Sequence, residues 1–225
     1  MHSAALFDMD GLLIDSERSI MNAWLAVAAR FNIALSAEDY LPVVGRAAAE
    51  SDAILTTAFG SRDLFLQAHA SVAQELDAIS ASTGFPLKQG AKSLLSALAM
   101  RRIPCAVVSS SPRSDIEARL QAVGVLHFFT AVAGGDEVAR GKPDPSIYRL
   151  AASRLGVAAE QCLAFEDSHN GAHAALAAGA NLAIVPDLLQ PTAEFAQRSL
   201  AVISSLDGAL PHVDRWFRPA NAHAD

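Results

Sequence analysis

The sequence has little of what secreted or nucleic-acid-binding proteins need. It contains only two cysteines, Cys105 and Cys162, both in apolar stretches, so no disulfide framework is expected and a reducing, cytoplasmic location is favoured. Lys and Arg number 17 against 24 Asp and Glu, for a formal charge of −7, and the basic residues are scattered. Nucleic acids are bound by clustered basic residues, so we expect no nucleic-acid partner.

Long uninterrupted apolar runs are also missing. The longest uncharged run, SHNGAHAALAAGANLAIVP from Ser168, contains His, Asn, Gly and Pro, and it predicts helix, turn and strand rather than a membrane span. Near the N-terminus, Asp8, Asp10 and Asp15 fall where a signal peptide needs a basic start and continuous apolar residues. We therefore expect neither secretion nor a membrane partner.

What the sequence does contain is a series of short apolar runs without polar alternation. Such runs are typical of parallel strands covered on both faces. Helical patterns separate the later runs, so the sequence predicts an α/β fold with a doubly wound, parallel, Rossmann-like sheet. The predicted strands are residues 4–7, 103–110, 131–135, 162–167, 181–186 and 200–205.

One interval after the first strand contains only helical patterns. We predict an inserted α-helical cap domain over residues 16–85, and a catalytic core formed by residues 1–15 and 86–225. The boundaries are placed near Asp15 and at the GFP of residues 84–86. Aromatic residues at helical spacings are predicted to form the core of the cap: Trp24, Phe31, Phe59 and Phe65.

Polar side chains follow several predicted strands, and in parallel sheets functional groups gather beyond the carboxyl ends of strands. Asp8 and Asp10 point to the same side of an extended backbone and repel each other, so a compensating cation is expected. Mg²⁺ prefers oxygen ligands of this kind. The groups expected at this edge are Asp8, Asp10, Ser109, Ser110, Lys142, Glu166 and Asp167.

These residue types favour phosphoryl chemistry. Attack of a carboxylate on a phosphate ester is opposed by charge repulsion, which a metal ion and a lysine relieve while hydrogen-bond donors stabilise the phosphoryl oxygens. Asp8 is therefore a candidate nucleophile. Asp10, two residues further on, is a candidate acid for the leaving group and base for the attacking water.

Four motifs, DMDGLLIDSE, VVSSS, GKPDP and FEDSHNG, occur in this order. In sequence and spacing they resemble the haloacid dehalogenase (HAD) superfamily, in particular its phosphatase and β-phosphoglucomutase-like branch with a helical cap. The resemblance extends over residues 4 to about 206. It implies a Mg²⁺-dependent phosphatase that hydrolyses a small phosphate monoester, such as a sugar or polyol phosphate, through an aspartyl-phosphate.

The resemblance also implies a role for each motif residue. Asp8 would carry the phosphoryl group, Asp10 would act as acid and base and offer its backbone carbonyl to the metal, and Ser109 would bind the phosphoryl group. Lys142 would neutralise both nucleophile and phosphate. The implied metal ligands are Asp8, Asp10, Glu166 and Asp167.

Further residues are predicted on the substrate side of the site. Gly11 permits the tight turn after Asp10, and Ser110 lies beside the phosphoryl-binding Ser109. Gly45 matches a glycine loop that reaches over the active site in relatives, and Arg46 beside it is a candidate for contact with a sugar hydroxyl or a second anionic group.

Alternative functions stay open at this level. A sugar phosphomutase shares all four motifs, although Ile20 stands where the mutases of this branch carry a histidine. A phospho-receiver signalling domain also gathers acids and a lysine around Mg²⁺, but the spacing of Asp8 and Asp10 and the helical insertion argue against it. A zinc site at His169 and His173 is disfavoured because no third soft ligand is evident. We expect a monomer or a weak homodimer.

Overall fold

The computed structural model describes residues 1–44, 48–82 and 84–218, without the side chains of residues 48, 49, 81 and 82. Gly45 and Arg46 lie outside the described residues. The chain divides into two compact units. The core unit comprises Met1–Ile14 and Leu87–Asp225, and the helical unit comprises Asp15–Pro86.

The core unit contains a six-stranded sheet. Its strands are β1 (Ala4–Phe7), β2 (Cys105–Val108), β3 (Ala131–Ala133), β4 (Cys162–Glu166), β5 (Asn181–Ile184) and β6 (Ala201–Val202). All paired strands are parallel, and their spatial order is β3-β2-β1-β4-β5-β6. The predicted α/β fold with a doubly wound parallel sheet is thereby confirmed, since the chain runs outward from β1 first on one side and then on the other.

The described residues form ten α-helices in addition to these strands. They are α1 (Ser16–Arg30), α2 (Ala37–Tyr40), α3 (Ala48–Phe59), α4 (Arg62–Ser82), α5 (Ala91–Met100), α6 (Arg113–Ala122), α7 (Ser146–Arg154), α8 (His169–Ala178), α9 (Ala193–Arg198) and α10 (Val213–Trp216).

Alternate strand residues face opposite sides of the sheet, and both sides are buried. On one side Ala4 and Leu6 of β1 belong to the same apolar cluster as Tyr148 of α7 and Ala175 of α8. On the other side the rings of Phe7 and Phe165 stack with their centres 4.9 Å apart. Burial on both faces explains why these strands consist of continuous apolar residues.

The start of α8 fixes the chain directly after β4. Ser168 is its N-cap, and its Oγ accepts a hydrogen bond of 3.1 Å from the backbone N–H of Gly171. A serine in this position satisfies one of the free N–H groups of the first turn. The strand therefore ends at Glu166 and the helix begins at His169, so the polar residues between them are held at the carboxyl edge of the sheet.

The helical unit has its own apolar core. Trp24 of α1 stacks on Phe65 of α4 with ring centres 6.0 Å apart, and it forms a T-shaped pair with Phe59 of α3, with ring centres 5.8 Å apart. Trp24, Phe59 and Phe65 are all buried, as expected for residues that hold helices together, whereas Phe31 is only partly buried. Among the described residues, no helix combines the length and apolar character that crossing a membrane requires.

Candidate active site

Three neighbouring strands bring the predicted site residues to one edge of the sheet. β1 lies between β2 and β4, with Phe7 paired to both Val107 and Phe165. Asp8 directly follows β1, and its backbone N–H donates to the carbonyl oxygen of Phe165 over 3.1 Å. The register therefore sets Asp8 beside the end of β4, which is where the sheet topology predicts it.

Lys142 joins the ends of β1 and β4. Its Nζ lies 2.5 Å from Asp8 Oδ1 and 2.6 Å from Glu166 Oε1, and it also donates to the carbonyl oxygen of Val108 over 3.2 Å. The side chain of Lys142 is 6% exposed. A buried ammonium is costly unless it is paired, and here two carboxylates and a carbonyl surround it.

Burial and charge act together on the titration of this pair. Burial raises the pKa of Asp8 well above its ordinary value, and the negative charges of Glu166 and Asp10 raise it further, although Lys142 opposes this. For Lys142, burial acts to lower the pKa, but the charges of Asp8 and Glu166 outweigh it and the pKa is raised. Lys142 therefore stays an ammonium and remains available to neutralise anions.

Asp8, Glu166 and Asp167 form a cluster of carboxylates whose candidate ligand oxygens lie within 4.8 Å of one another. Burial raises the pKa of Asp167 well above its ordinary value, and the charges of Asp8 and Glu166 add to this effect. One ammonium is insufficient compensation for three carboxylates. A hard divalent cation with oxygen ligands suits this donor set, so these residues fit Mg²⁺.

Gly11 provides the space that Asp167 needs. It has a positive φ of 83°, and a Cβ built on it would lie 2.2 Å from Asp167 Oδ2. Its N–H donates to the carbonyl oxygen of Ile14 over 2.9 Å, so the predicted tight turn is present and uses this N–H itself. Any other residue would be strained and would collide with the carboxylate.

Glu166 is fully buried, and both oxygens of its carboxylate accept hydrogen bonds from neighbouring groups of the site. Its Oε1 accepts hydrogen bonds from Lys142 and, over 2.6 Å, from the hydroxyl of Tyr148. Its Oε2 accepts from the backbone N–H groups of Asp167 and Ser168 and from the Ser168 hydroxyl. Five donors occupy both oxygens of this carboxylate, so its strongest contribution is to hold Lys142 and the chain after β4 in place.

Asp10 points to the loop that follows β2. Its Oδ2 accepts from the hydroxyl of Ser109 over 3.2 Å and from that of Ser111 over 3.4 Å. Its Oδ1 lies 3.1 Å from Arg119 NH1. The side chain of Asp10 is thus not one of the three carboxylates of the cluster. Its predicted place among the metal ligands depends on its backbone carbonyl.

The remaining predicted residues are more dispersed. Ser109 is buried beside Asp10, whereas Ser110 is exposed. Gly45 and Arg46 lie outside the described residues. His169 Nε2 donates to the carbonyl oxygen of Gln190 and His173 Nδ1 to that of Pro143, both over 3.2 Å, so these two histidines have separate partners.

Three site contacts have no counterpart in the sequence motifs. Arg119 pairs with Asp10, Tyr148 with Glu166, and Lys88 Nζ lies 2.5 Å from Asp187 Oδ1. A Cβ on Gly11 would lie 3.4 Å from Asp187 Oδ2, so this ion pair adjoins the same turn. For these three contacts the sequence offered one signal, namely that Asp187 directly follows the predicted strand at residues 181–186.

The parallel sheet and its buried Asp8–Lys142 pair define an α/β enzyme with an acidic, lysine-containing centre. The model of the haloacid dehalogenase-like hydrolase family matches residues 2–179. The chain belongs to this family. The family predicted from the motifs is thereby confirmed. The predicted enzyme class, an HAD-like phosphatase, is confirmed by this match and by the phosphatases to which the chain is similar.

Two curated relatives are phosphatases. The validoxylamine A 7'-phosphate phosphatase of Streptomyces hygroscopicus subsp. limoneus is 34% identical over 182 residues, which cover 80% of this chain and 83% of the relative. The phosphorylated carbohydrates phosphatase of Thermotoga maritima is 32% identical over 178 residues, which cover 78% of this chain and 81% of the relative.

A solved structure supports the fold assignment. An HAD family hydrolase from Deinococcus radiodurans, crystallised with bound phosphate and sodium, is 28% identical and superposes with a TM-score of 0.81. The match covers 97% of this chain and 99% of that protein. The likeness therefore extends over both units of the chain.

Proposed function

We propose that the protein is a Mg²⁺-dependent phosphatase that hydrolyses a small phosphate monoester through an aspartyl-phosphate on Asp8. The observation that carries this proposal is the buried contact of 2.5 Å between Asp8 Oδ1 and Lys142 Nζ. It keeps a carboxylate beside a cation that can attract a phosphate dianion, next to further carboxylates that fit a metal. The assignment of Asp8, Asp10, Ser109 and Lys142 as catalytic residues is part of the proposal.

In the first half of the reaction, a carboxylate oxygen of Asp8 forms a bond to phosphorus while the ester P–O bond breaks. Lys142 and the hydroxyl of Ser109 contact the phosphoryl oxygens and offset their negative charge. Asp10 donates a proton to the departing alkoxide, which leaves as an alcohol. The product of this step is an aspartyl-phosphate.

In the second half, a water molecule attacks phosphorus and the bond between phosphorus and Asp8 breaks. Asp10, now a carboxylate, takes the proton of the water, and inorganic phosphate leaves. The proposed metal ligands are Asp8, Asp167 and the backbone carbonyl of Asp10, with Glu166 adjoining them. When bound, Mg²⁺ supplies positive charge that reduces the repulsion between Asp8 and the phosphate.

The proposed substrate is a sugar or polyol phosphate. One of the relatives named above is a phosphorylated carbohydrates phosphatase and the other a validoxylamine A 7'-phosphate phosphatase. The partner of this chain is accordingly proposed to be a small phosphorylated molecule. Ser110, Gly11, Gly45 and Arg46 remain proposed substrate-side residues.

The test is phosphate release from a panel of monoesters by the wild type, Asp8→Asn and Asp115→Asn, each with Mg²⁺ and with EDTA. Asp115 is exposed on α6, so its variant controls for the loss of a carboxylate. The proposal expects wild-type activity that requires Mg²⁺, full activity in Asp115→Asn and none in Asp8→Asn. Retained activity in Asp8→Asn would exclude this residue as the nucleophile.

The same panel separates the phosphatase from a phosphomutase. A mutase would convert one sugar phosphate isomer into another, would need a bisphosphate activator and would release little phosphate. An isomerisation assay with the same substrates therefore decides between the two activities. A stable phosphoaspartate without turnover would instead indicate a receiver-type protein.

A further inference from the structure

Arg119 connects α6 to the loop after β1. Its NH1 lies 3.1 Å from Asp10 Oδ1, across 109 positions of sequence, and the two side chains are 28% and 24% exposed. Both residues belong to the core unit. A guanidinium holds a carboxylate in a defined direction because its donors lie in one rigid plane.

The other oxygen of Asp10 is held from a second direction. Ser109 and Ser111 donate to Oδ2, and the Ser109 hydroxyl also accepts the backbone N–H of Ser111 over 3.1 Å. Ser109 is the proposed phosphoryl-binding residue, so the Asp10 carboxylate lies one hydrogen bond from the place where the phosphate is bound. The orientation of Asp10 is therefore determined by the loop after β2 on one oxygen and by Arg119 on the other.

We propose that Arg119 is a positioning residue that orients the carboxyl group of Asp10, which carries the proton in the first half of the reaction, for proton transfer to the leaving oxygen. This inference rests on the proposed function, because it assigns Arg119 a part in the first half of that reaction. In this role Arg119 acts through Asp10. It acts by restricting the side-chain torsions of Asp10, and this restriction is lost when the guanidinium is removed.

The inference predicts an effect that depends on the leaving group. Phenyl phosphate and para-nitrophenyl phosphate have similar shapes, but only phenolate is a strong enough base to need a proton as it departs. The ratio kcat/KM reports on steps up to departure of the alcohol, and therefore omits hydrolysis of the aspartyl-phosphate. A general acid contributes about 100-fold or more to such a step.

The experiment compares Arg119→Met, Arg119→Lys and Arg113→Met with the wild type on both substrates. Arg113 lies on the same helix and pairs with Glu117, so its variant controls for the loss of an arginine from α6. For Arg119→Met we expect kcat/KM to fall about 10-fold or more with phenyl phosphate and to change little with para-nitrophenyl phosphate. Arg119→Lys should recover part of the loss, and Arg113→Met should behave as the wild type.

A double-mutant cycle with Asp10→Asn completes the test. If Arg119 acts through Asp10, Arg119→Met should have no further effect with phenyl phosphate once Asp10 is replaced. Equal losses on the two substrates, or an undiminished effect in the Asp10→Asn background, would overturn the inference and leave the phosphatase assignment intact. A wild type that releases phosphate from no monoester would overturn the proposed function, and the inference with it.

Discussion

The hydroxyl of Tyr148 lies 2.6 Å from Glu166 Oε1, and the Lys142 ammonium lies over the same phenol ring, 5.3 Å from its centre. Tyr148 is fully buried in α7. It therefore contacts both members of the buried ion pair, donating a hydrogen bond to the anion and presenting its ring to the cation. Glu166 and Lys142 belong to two of the four sequence motifs, whereas Tyr148 lies outside all four.

We predict that Tyr148→Phe lowers both stability and turnover. The ring remains, but Glu166 loses one donor inside the protein, which costs about 1 to 3 kcal/mol of unfolding free energy. The position of Lys142 becomes less restricted, so kcat should fall by a few-fold to about 10-fold. Urea unfolding and steady-state phosphate release measure the two effects.

Tyr40→Phe provides the matched control, because Tyr40 is the other tyrosine of the chain and is also buried. It lies in the helical unit, and its variant is expected to leave kcat unchanged. If Tyr148→Phe had the stability and kcat of the wild type, the hydrogen bond to Glu166 would have no part in the site.

Gly171 in the first turn of α8 makes room for Glu166. A Cβ on Gly171 would lie 1.8 Å from Glu166 Oε1 and 2.2 Å from Oε2. Gly171→Ala should gain about 1 kcal/mol of helix propensity, but the clash displaces a carboxylate that has five hydrogen bonds. Overpacking of this kind costs about 1 to 3 kcal/mol, and lost hydrogen bonds add to it, so the net effect is destabilising.

The activity of Gly171→Ala should also fall, since Glu166 cannot move without Lys142. Ala177→Gly is the reverse exchange at an exposed position of the same helix. It should lose about 1 kcal/mol of stability through helix propensity alone and keep full activity. A Gly171→Ala variant more stable than the wild type in thermal unfolding would contradict the contact.

The motifs sufficed to locate Asp8, Lys142 and Glu166 because predictable apolar strands lie beside all three. Asp8 follows β1, Glu166 is the last residue of β4, and Lys142 lies between β3 and β4 in the chain. Parallel pairing then brings the strand ends together whatever the details of the helices. Arg119 and Tyr148 could not be located in this way. Each lies inside a helix without a motif, and it reaches the site only through the rotation and packing of α6 or α7 on the sheet.

Strand lengths were less predictable than strand order. The apolar run at residues 131–135 forms strand only as far as Ala133. A Cβ on Gly135 would lie 2.2 Å from the carbonyl oxygen of Ser110, so the glycine allows the chain to leave the sheet and run against the loop after β2. That close approach between two loops depends on tertiary packing and is not encoded in the local apolar pattern.

Mg²⁺ is predicted to stabilise the wild type but not Asp167→Asn. Binding at about 100 times the dissociation constant adds about 2.7 kcal/mol to the stability of the folded state, equivalent to a rise in melting temperature of roughly 5 to 10 °C for a protein of this size. In Mg²⁺ the wild type should therefore melt above Asp167→Asn. In EDTA we expect the opposite, because removal of one charge from the carboxylate cluster relieves repulsion, so Asp167→Asn should melt above the wild type.

Differential scanning calorimetry in Mg²⁺ and in EDTA measures both effects without relying on activity. Asp115→Asn should show the same Mg²⁺ shift as the wild type, because Asp115 lies outside the cluster. An undiminished Mg²⁺ shift in Asp167→Asn would exclude Asp167 as a ligand.

The last prediction concerns the pH dependence of stability and the ion pair between Glu137 and Arg154. Two hydrogen bonds of 2.7 and 2.8 Å join the guanidinium to the two carboxylate oxygens. The hydrogen bonds from Arg154, aided by the Gly134 N–H, lower the pKa of Glu137 to about 2 from an ordinary value of 4.5. A folded-state pKa below the unfolded value means that the stabilisation is present above about pH 4.5 and is lost as the pH falls through about 2.

Glu137→Gln should therefore remove part of the acid sensitivity. The side chains of Glu137 and Arg154 are 20% and 29% exposed, so solvent screening limits the contribution to about 1 to 2 kcal/mol. The wild type should be more stable than the variant by this amount at pH 7, and the difference should shrink steadily below pH 4.5 in urea unfolding. Glu194→Gln, which breaks the exposed pair with Arg198, should change stability by less than about 0.5 kcal/mol at any of these pH values. A difference between wild type and Glu137→Gln that stayed constant from pH 7 to pH 3 would show that the carboxylate gains nothing from its charge in the folded state.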